Sequence, residues 1–159
     1  MSPKPLSPRF VLGTGLGAVS LCLAAANPLS AQDFQLVETT IAEVHAEMEG
    51  GRLTRRQLVQ GHIDRIEAFD QTGVRLNSIQ HLNPRALQVA DSLDAALTSG
   101  GRMGSLHCVP VLLKDQVETS DMPTSYGSAL FKDFVPERDA TIVTRMKAAG
   151  AIILAKTTM

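Results

Sequence analysis

Apolar positions recur at three and four residues over two stretches near the start of the chain, and each stretch begins with a capping signature. Thr40-Ile-Ala-Glu43 places a hydroxyl at a helix N-cap and a carboxylate three residues on, so each satisfies a free backbone N–H. Ile41, Val44 and Met48 then share a face, and Gly50-Gly51 ends the helix. Thr54-Arg-Arg-Gln57 repeats the device, with Leu53 and Leu58 placed for a hydrophobic staple. Val59, Ile63, Ile66 and Phe69 line one face of a helix predicted over residues 55–69.

The pattern then changes. Residues 77–82 are short enough for a strand. Asn83-Pro84 opens a helix with asparagine at the cap and proline in the first turn, and Ala86, Ala90, Leu93 and Leu97 form its buried stripe. Val109-Pro-Val-Leu-Leu113 is apolar throughout, which predicts a strand covered on both faces in a parallel sheet. Residues 116–138 show no period and hold Pro123, Gly127 and Pro136, so they read as a long loop. Asp139 is placed to cap a helix carrying Ile142, Val143, Met146 and Ala149. Gly150 stops that helix, and residues 151–155 form a second apolar strand. Strand, helix, strand in this order predicts a right-handed crossover in an α/β fold.

Residues 1–31 contain Lys4 and Arg9 and no acid, with an apolar run from Phe10 to Ala26 and small residues after it. These are the parts of a secretory signal peptide, with Ala24-x-Ala26 and Ala31 as cleavage ends. A membrane anchor would need about 20 apolar residues and a basic stop, and no basic cluster follows. A lipoprotein reading of Cys22 fails because Leu21 precedes it where a small residue is expected, and Arg9 alone makes no twin-arginine signal. Gly13-Thr-Gly15-Leu-Gly17 imitates a phosphate loop, but no strand precedes it and the third glycine falls one position early. The chain is therefore expected to be exported, to the periplasm or outside the cell, with residues 32–159 as the mature part.

Charge excludes one class of partner. The 159 residues carry 15 Lys+Arg against 16 Asp+Glu, and removing residues 1–31 leaves 13 - 16 = -3. Binding nucleic acid through its phosphates needs clustered cations, and the longest cluster here is Arg55-Arg56. No metal motif is present: His45, His62, His81 and His107 are scattered, and no cofactor is expected. Export leaves Cys108 without a partner cysteine. His107 and Cys108 are adjacent, but in an extended segment they point to opposite faces, so Cys108 reads as a small buried residue at a strand start. Neither a Gly-x-Ser-x-Gly elbow nor a Ser-x-x-Lys is found.

Lys114 stands out. It follows four apolar residues at the C-terminal end of a predicted buried strand, where α/β sheets gather their sites. Desolvation disfavours the charged form of lysine, so a lysine held there can act as a base near neutral pH. The competing reading is a lysine that leaves the sheet into solvent or pairs with a carboxylate.

Four ordered blocks now carry a resemblance. They are Gly104-Ser-Leu-His-Cys-Val-Pro-Val-Leu-Leu-Lys-Asp-Gln116, Met122-Pro-Thr-Ser-Tyr-Gly-Ser128, Val135-Pro-Glu-Arg-Asp-Ala140 and Ala149-Gly-Ala-Ile-Ile-Leu-Ala-Lys-Thr157. In sequence and spacing they resemble the amidase signature family, and the helical arm from about 36 to 70 is similar to the helices preceding that family's core. The resemblance implies an α/β/α fold around a large mixed sheet, of which residues 32–159 form the N-terminal part. It implies hydrolysis of a small-molecule carboxylic amide by a Ser–cis-Ser–Lys triad, with Lys114 as the lysine that takes a proton through the bridging serine. Three positions depart from the family: Cys108 replaces glycine, Gln116 replaces asparagine, and Ala155-Lys-Thr-Thr158 replaces Gly-Lys-Thr-Asn.

The family places both serines and the oxyanion donors after the strand that ends near Thr157, so Ser125 and Ser128 are not expected to be nucleophiles. Two readings remain. In one, these residues are the N-terminal part of an exported amidase, inactive on their own. In the other, they are a catalytically dead remnant acting at most as a partner-binding module. The stop at a strand end favours the first. A third reading, the subunit that amidates charged transfer RNA, is opposed by the signal peptide.

Overall fold

The computed structural model describes residues 34–101 and 103–159. The signal-peptide expectation and the glycine decoy therefore lie outside the described residues. The elements are α1 (Ile41–Glu49), α2 (Arg55–Ile66), β1 (Ile79–Leu82), α3 (Ala86–Thr98), β2 (Pro110–Lys114), α4 (Thr141–Ala148) and β3 (Ile152–Thr157). No helix among the described residues is long and apolar enough to cross a membrane.

Both capping boxes form. Thr40 Oγ1 accepts from the Glu43 N–H at 3.2 Å, and the Glu43 carboxylate accepts from the Thr40 N–H at 2.7 Å. Thr54 and Gln57 exchange the same pair of bonds at 3.1 and 2.9 Å. Leu53 and Leu58 are both buried, as a staple requires.

The helix expected over 55–69 is α-helical only to Ile66 and continues as a π-helical turn, Glu67–Gln71. The wider turn takes Phe69 off the stripe, and it stands 46% exposed with the Arg65 guanidinium 5.3 Å from its ring centre. Asp70 closes the turn by accepting from the Ser78 N–H at 2.6 Å, which ties it to the start of β1.

The sheet order is β1-β3-β2, with β1 antiparallel and β2 parallel to the central β3. Alternation along β3 splits the core. Ile152 and Leu154 pack with Val44, Leu58, Val59 and Ala90 of the helical arm and α3. Ile153 packs with Leu113 of β2, Met122 and Val143 of α4. Helices thus cover both faces of β3, as its unbroken apolar run predicted.

Asn83 joins sheet to helix: its N–H donates to Leu154 O, its Nδ2 to Ile153 O at 2.7 Å, and its Oδ1 accepts from the Arg85 N–H at 2.9 Å. The turn through Pro84 delays the helix to Ala86, two residues past the expected first turn.

Two expectations are corrected. β2 is not covered on both faces among the described residues. Leu112 is 49% exposed and opens, with Phe69, Val74 and Leu76, onto an apolar cleft of about 470 Å³. Nor does Asp139 cap α4. Ala140 occupies the cap position without a side-chain bond, and the Asp139 carboxylate instead accepts from the Ser120 N–H at 2.7 Å and from Lys147 Nζ at 2.8 Å. The pull of a cation eight residues on and of a loop amide outweighs a local cap bond. The loop over 116–138 contains one short 3-10 turn, Ala129–Phe131.

Candidate active site

Lys114 is the last residue of β2 and pairs with Thr157 of β3. Its side chain is exposed among the described residues, and Nζ donates to Thr158 O at 2.5 Å. The low-dielectric setting expected for it is therefore not found. The strand is buried through Leu113, but alternation turns the next side chain away from α4, toward the uncovered face.

The desolvated lysine is Lys156. A strict alternation would send it to the same face as Ile152 and Leu154. The register instead runs from Val111↔Ile153 to Leu112↔Ala155, so Leu154 is an extra residue in β3. This bulge re-aims the residues after it, and Lys156 pairs with Leu113 on the α4 side. Lys156 is 0% exposed, and its Nζ donates to Thr124 Oγ1 at 2.9 Å and to the backbone carbonyls of Asp115 at 3.2 Å and Pro123 at 3.5 Å. Burial pushes its ammonium below the usual lysine range, and the Asp115 carboxylate partly offsets this. The expectation that a strand-terminal lysine is buried was right in kind and placed on the wrong strand.

Asp115 follows Lys114 and is buried. Its carboxylate accepts from the Ser125 N–H at 3.2 Å, from Ser125 Oγ at 2.6 Å and from the Gly127 N–H at 3.2 Å. Burial raises its pKa, but these bonds and the charge of Lys156 outweigh it and hold the carboxyl below the usual range. Tyr126 and Gly127 both have positive φ, 52° and 73°, which turns the two amides of this loop back toward Asp115. Nothing at the sequence level joined Asp115 to Ser125, because their contact depends on how the loop returns.

His107 and Cys108 form no dyad, for a reason other than the one expected. The segment is a turn and not a strand start. Cys108 has φ 59°, in the left-handed region, at a position where the resembling family carries glycine. The backbone carbonyl of His107 accepts from His45 Nε2 at 3.0 Å, which ties the helical arm to the start of β2. Burial pushes the Cys108 thiol up to about 12. At pH 8 that leaves only about one thiol in 10⁴ ionised. A thiol reagent at that pH is expected to spare Cys108 in the folded protein and to reach it after denaturation. Peptide mapping of the labelled cysteine reads the result, and labelling in the folded state would contradict it. Among the described residues no group of three or more His, Cys, Asp or Glu could hold a metal ion.

The model of the Amidase family matches residues 57–159. The chain belongs to this family. Its similarity to a glutamyl-tRNA(Gln) amidotransferase subunit of Streptomyces coelicolor is 36% identity over 125 residues, covering 78% of this chain and 24% of that protein. Among solved structures, the peptide amidase of Stenotrophomonas maltophilia is 41% identical with a TM-score of 0.73, over 76% of this chain and 25% of that one. An amidase family protein of Bacillus anthracis is 34% identical with a TM-score of 0.76, over 86% of this chain and 28% of that one. The chain thus spans about a quarter of the length of the relatives it matches. Within this amidase segment the two serines of the loop have structural work. Ser125 is buried against Asp115, and Ser128 Oγ accepts from the Leu130 N–H at 3.3 Å at the start of the 3-10 turn.

Proposed function

We propose that these residues supply the lysine base of an enzyme that hydrolyses a small-molecule carboxylic amide. One observation carries the reading. The chain leaves β3 directly beside Lys114, which pairs with Thr157 and donates to Thr158 O. The resembling family carries both catalytic serines after that strand, so the base stands at the exit from which they would come.

In this mechanism Lys114 enters neutral and accepts the proton of the bridging serine. That serine takes the proton of the nucleophilic serine, whose oxygen attacks the amide carbonyl. The leaving amine collects a proton as the C–N bond breaks, and water then releases the acid from the acyl-serine. No cofactor enters any step. Residues 32–159 alone lack these serines and the oxyanion donors and are expected to be inactive.

The test is release of the amine from a simple aryl amide by the full protein. Turnover supports the reading; a folded protein that releases none overturns it in favour of the dead, partner-binding remnant. The name of the transfer-RNA amidotransferase relatives favours a second reading, amide transfer rather than hydrolysis. Dependence of activity on a charged transfer RNA would select it.

We also infer that residues 1–31 direct export and are removed, on the strength of their acid-free basic start and apolar run. Mass spectrometry of the mature N-terminus is expected to find the chain beginning near residue 32. An intact N-terminus on a cytoplasmic product would overturn this.

A further inference from the structure

We propose that Lys156 is a positioning residue for Lys114, its buried ammonium holding the stretch of backbone from which the base projects. This rests on the reading of Lys114 as the base.

The argument starts from the effect of Lys156 on the packing. It is fully buried on the central strand, and no carboxylate oxygen among the described residues lies within ion-pair distance of it. Such a cation destabilises a core, and an apolar side chain of similar volume would pack there at less expense. What lysine provides and an apolar residue cannot is a set of directed donors.

Those donors converge on one stretch of chain. The first accepts at the carbonyl of Asp115, the residue after Lys114, and the second and third at Thr124 and Pro123. Ser125, next in the chain, donates twice to the Asp115 carboxylate. The Asp115 N–H donates to Thr157 O at 3.0 Å, and the Lys114 carbonyl accepts from the Val117 N–H at 2.9 Å. Each polar group of the backbone just after Lys114 is thereby fastened, with Lys156 as the one side chain that ties the β2 exit to the returning loop.

The Lys114 side chain itself is exposed and has no packing to orient it. Its accuracy as a base depends on where its Cα is held, and a displacement of about 1 Å at a reacting group reduces rate about 100-fold. The bulge at Leu154 belongs to the same device, because without it Lys156 would point to the opposite face.

The test is steady-state hydrolysis of an aryl amide by the full chain, in parallel with melting curves, for wild type, Lys156→Met, Thr124→Val and Lys114→Ala. Lys156→Met is expected to melt at or above the wild-type temperature while kcat falls about 10- to 100-fold and KM changes less than about twofold. A folded Lys156→Met enzyme with wild-type kcat overturns the proposal, as does a loss confined to KM. If that variant does not fold, Thr124→Val decides, since it deletes one acceptor of Lys156 and keeps the shape. A kcat loss of about threefold or more at constant KM supports the proposal, and an unchanged kcat overturns it. Lys114→Ala separates the two levels. Turnover in that variant removes the base reading and this proposal with it, whereas a dead Lys114→Ala beside a normal Lys156→Met removes only the positioning role.

Discussion

Lys114→Arg is expected to lower amide turnover by the full protein at least about 10³-fold and to leave its circular dichroism spectrum unchanged. The guanidinium stays protonated at any working pH, so it keeps the charge and reach of lysine but cannot accept a proton. Lys114→Ala should fail to the same degree. The fold should tolerate both, because the side chain is exposed and its Nζ bond goes to a backbone carbonyl, that of Thr158. The pair of variants separates proton transfer from charge. If arginine restored most of the activity lost in the alanine variant, Lys114 would be an electrostatic group and not the base.

The largest stability change at the site is expected from Asp115→Ala. The substitution leaves two backbone amides and one hydroxyl, all turned inward by the Tyr126–Gly127 bend, without their acceptor. Each buried donor left unsatisfied costs about 1–3 kcal/mol, and a total near 3 kcal/mol allows for partial relaxation. The sign of the pH dependence follows from the depressed carboxyl. A carboxylate whose folded pKa lies below its unfolded value contributes its full stabilisation above the unfolded value, about 4. That contribution disappears as pH falls through the folded value. The gap between wild type and Asp115→Ala in urea midpoint should therefore be constant from pH 8 to 5 and close below about pH 4. A gap that persists at low pH would assign the loss to packing and not to the charge.

Local signals were the most legible part of the fold. Thr40, Glu43, Thr54 and Gln57 specify their helix starts through bonds three residues apart, and these formed as expected. The apolar runs of β2 and β3 also gave the parallel pair, since only a strand covered on both sides can be apolar at every position. Expectations failed where a distant partner competed with a local one. Asp139 left its cap for Lys147 and Ser120, and Phe69 left its stripe at the π turn. The site divided in the same way. Lys114 could be found from its place at a strand end and from the family blocks. Lys156 could not, because a period-two reading places it on the wrong face. The bulge that corrects this is a property of how β3 pairs with β2, visible only once both strands are aligned.

The central position of β3 has a consequence for the order of assembly. It comes last among the described elements, and both strand pairs of the sheet include it. A growing chain can form the capped helices α1 and α2 from local bonds alone, but β1 and β2 have no strand to pair with until Thr157 has left the ribosome. Ile79 must wait for a partner 78 residues further on. Throughout synthesis of this segment the apolar face of β2 is open, and it is there that a chaperone holding the nascent chain is expected to bind.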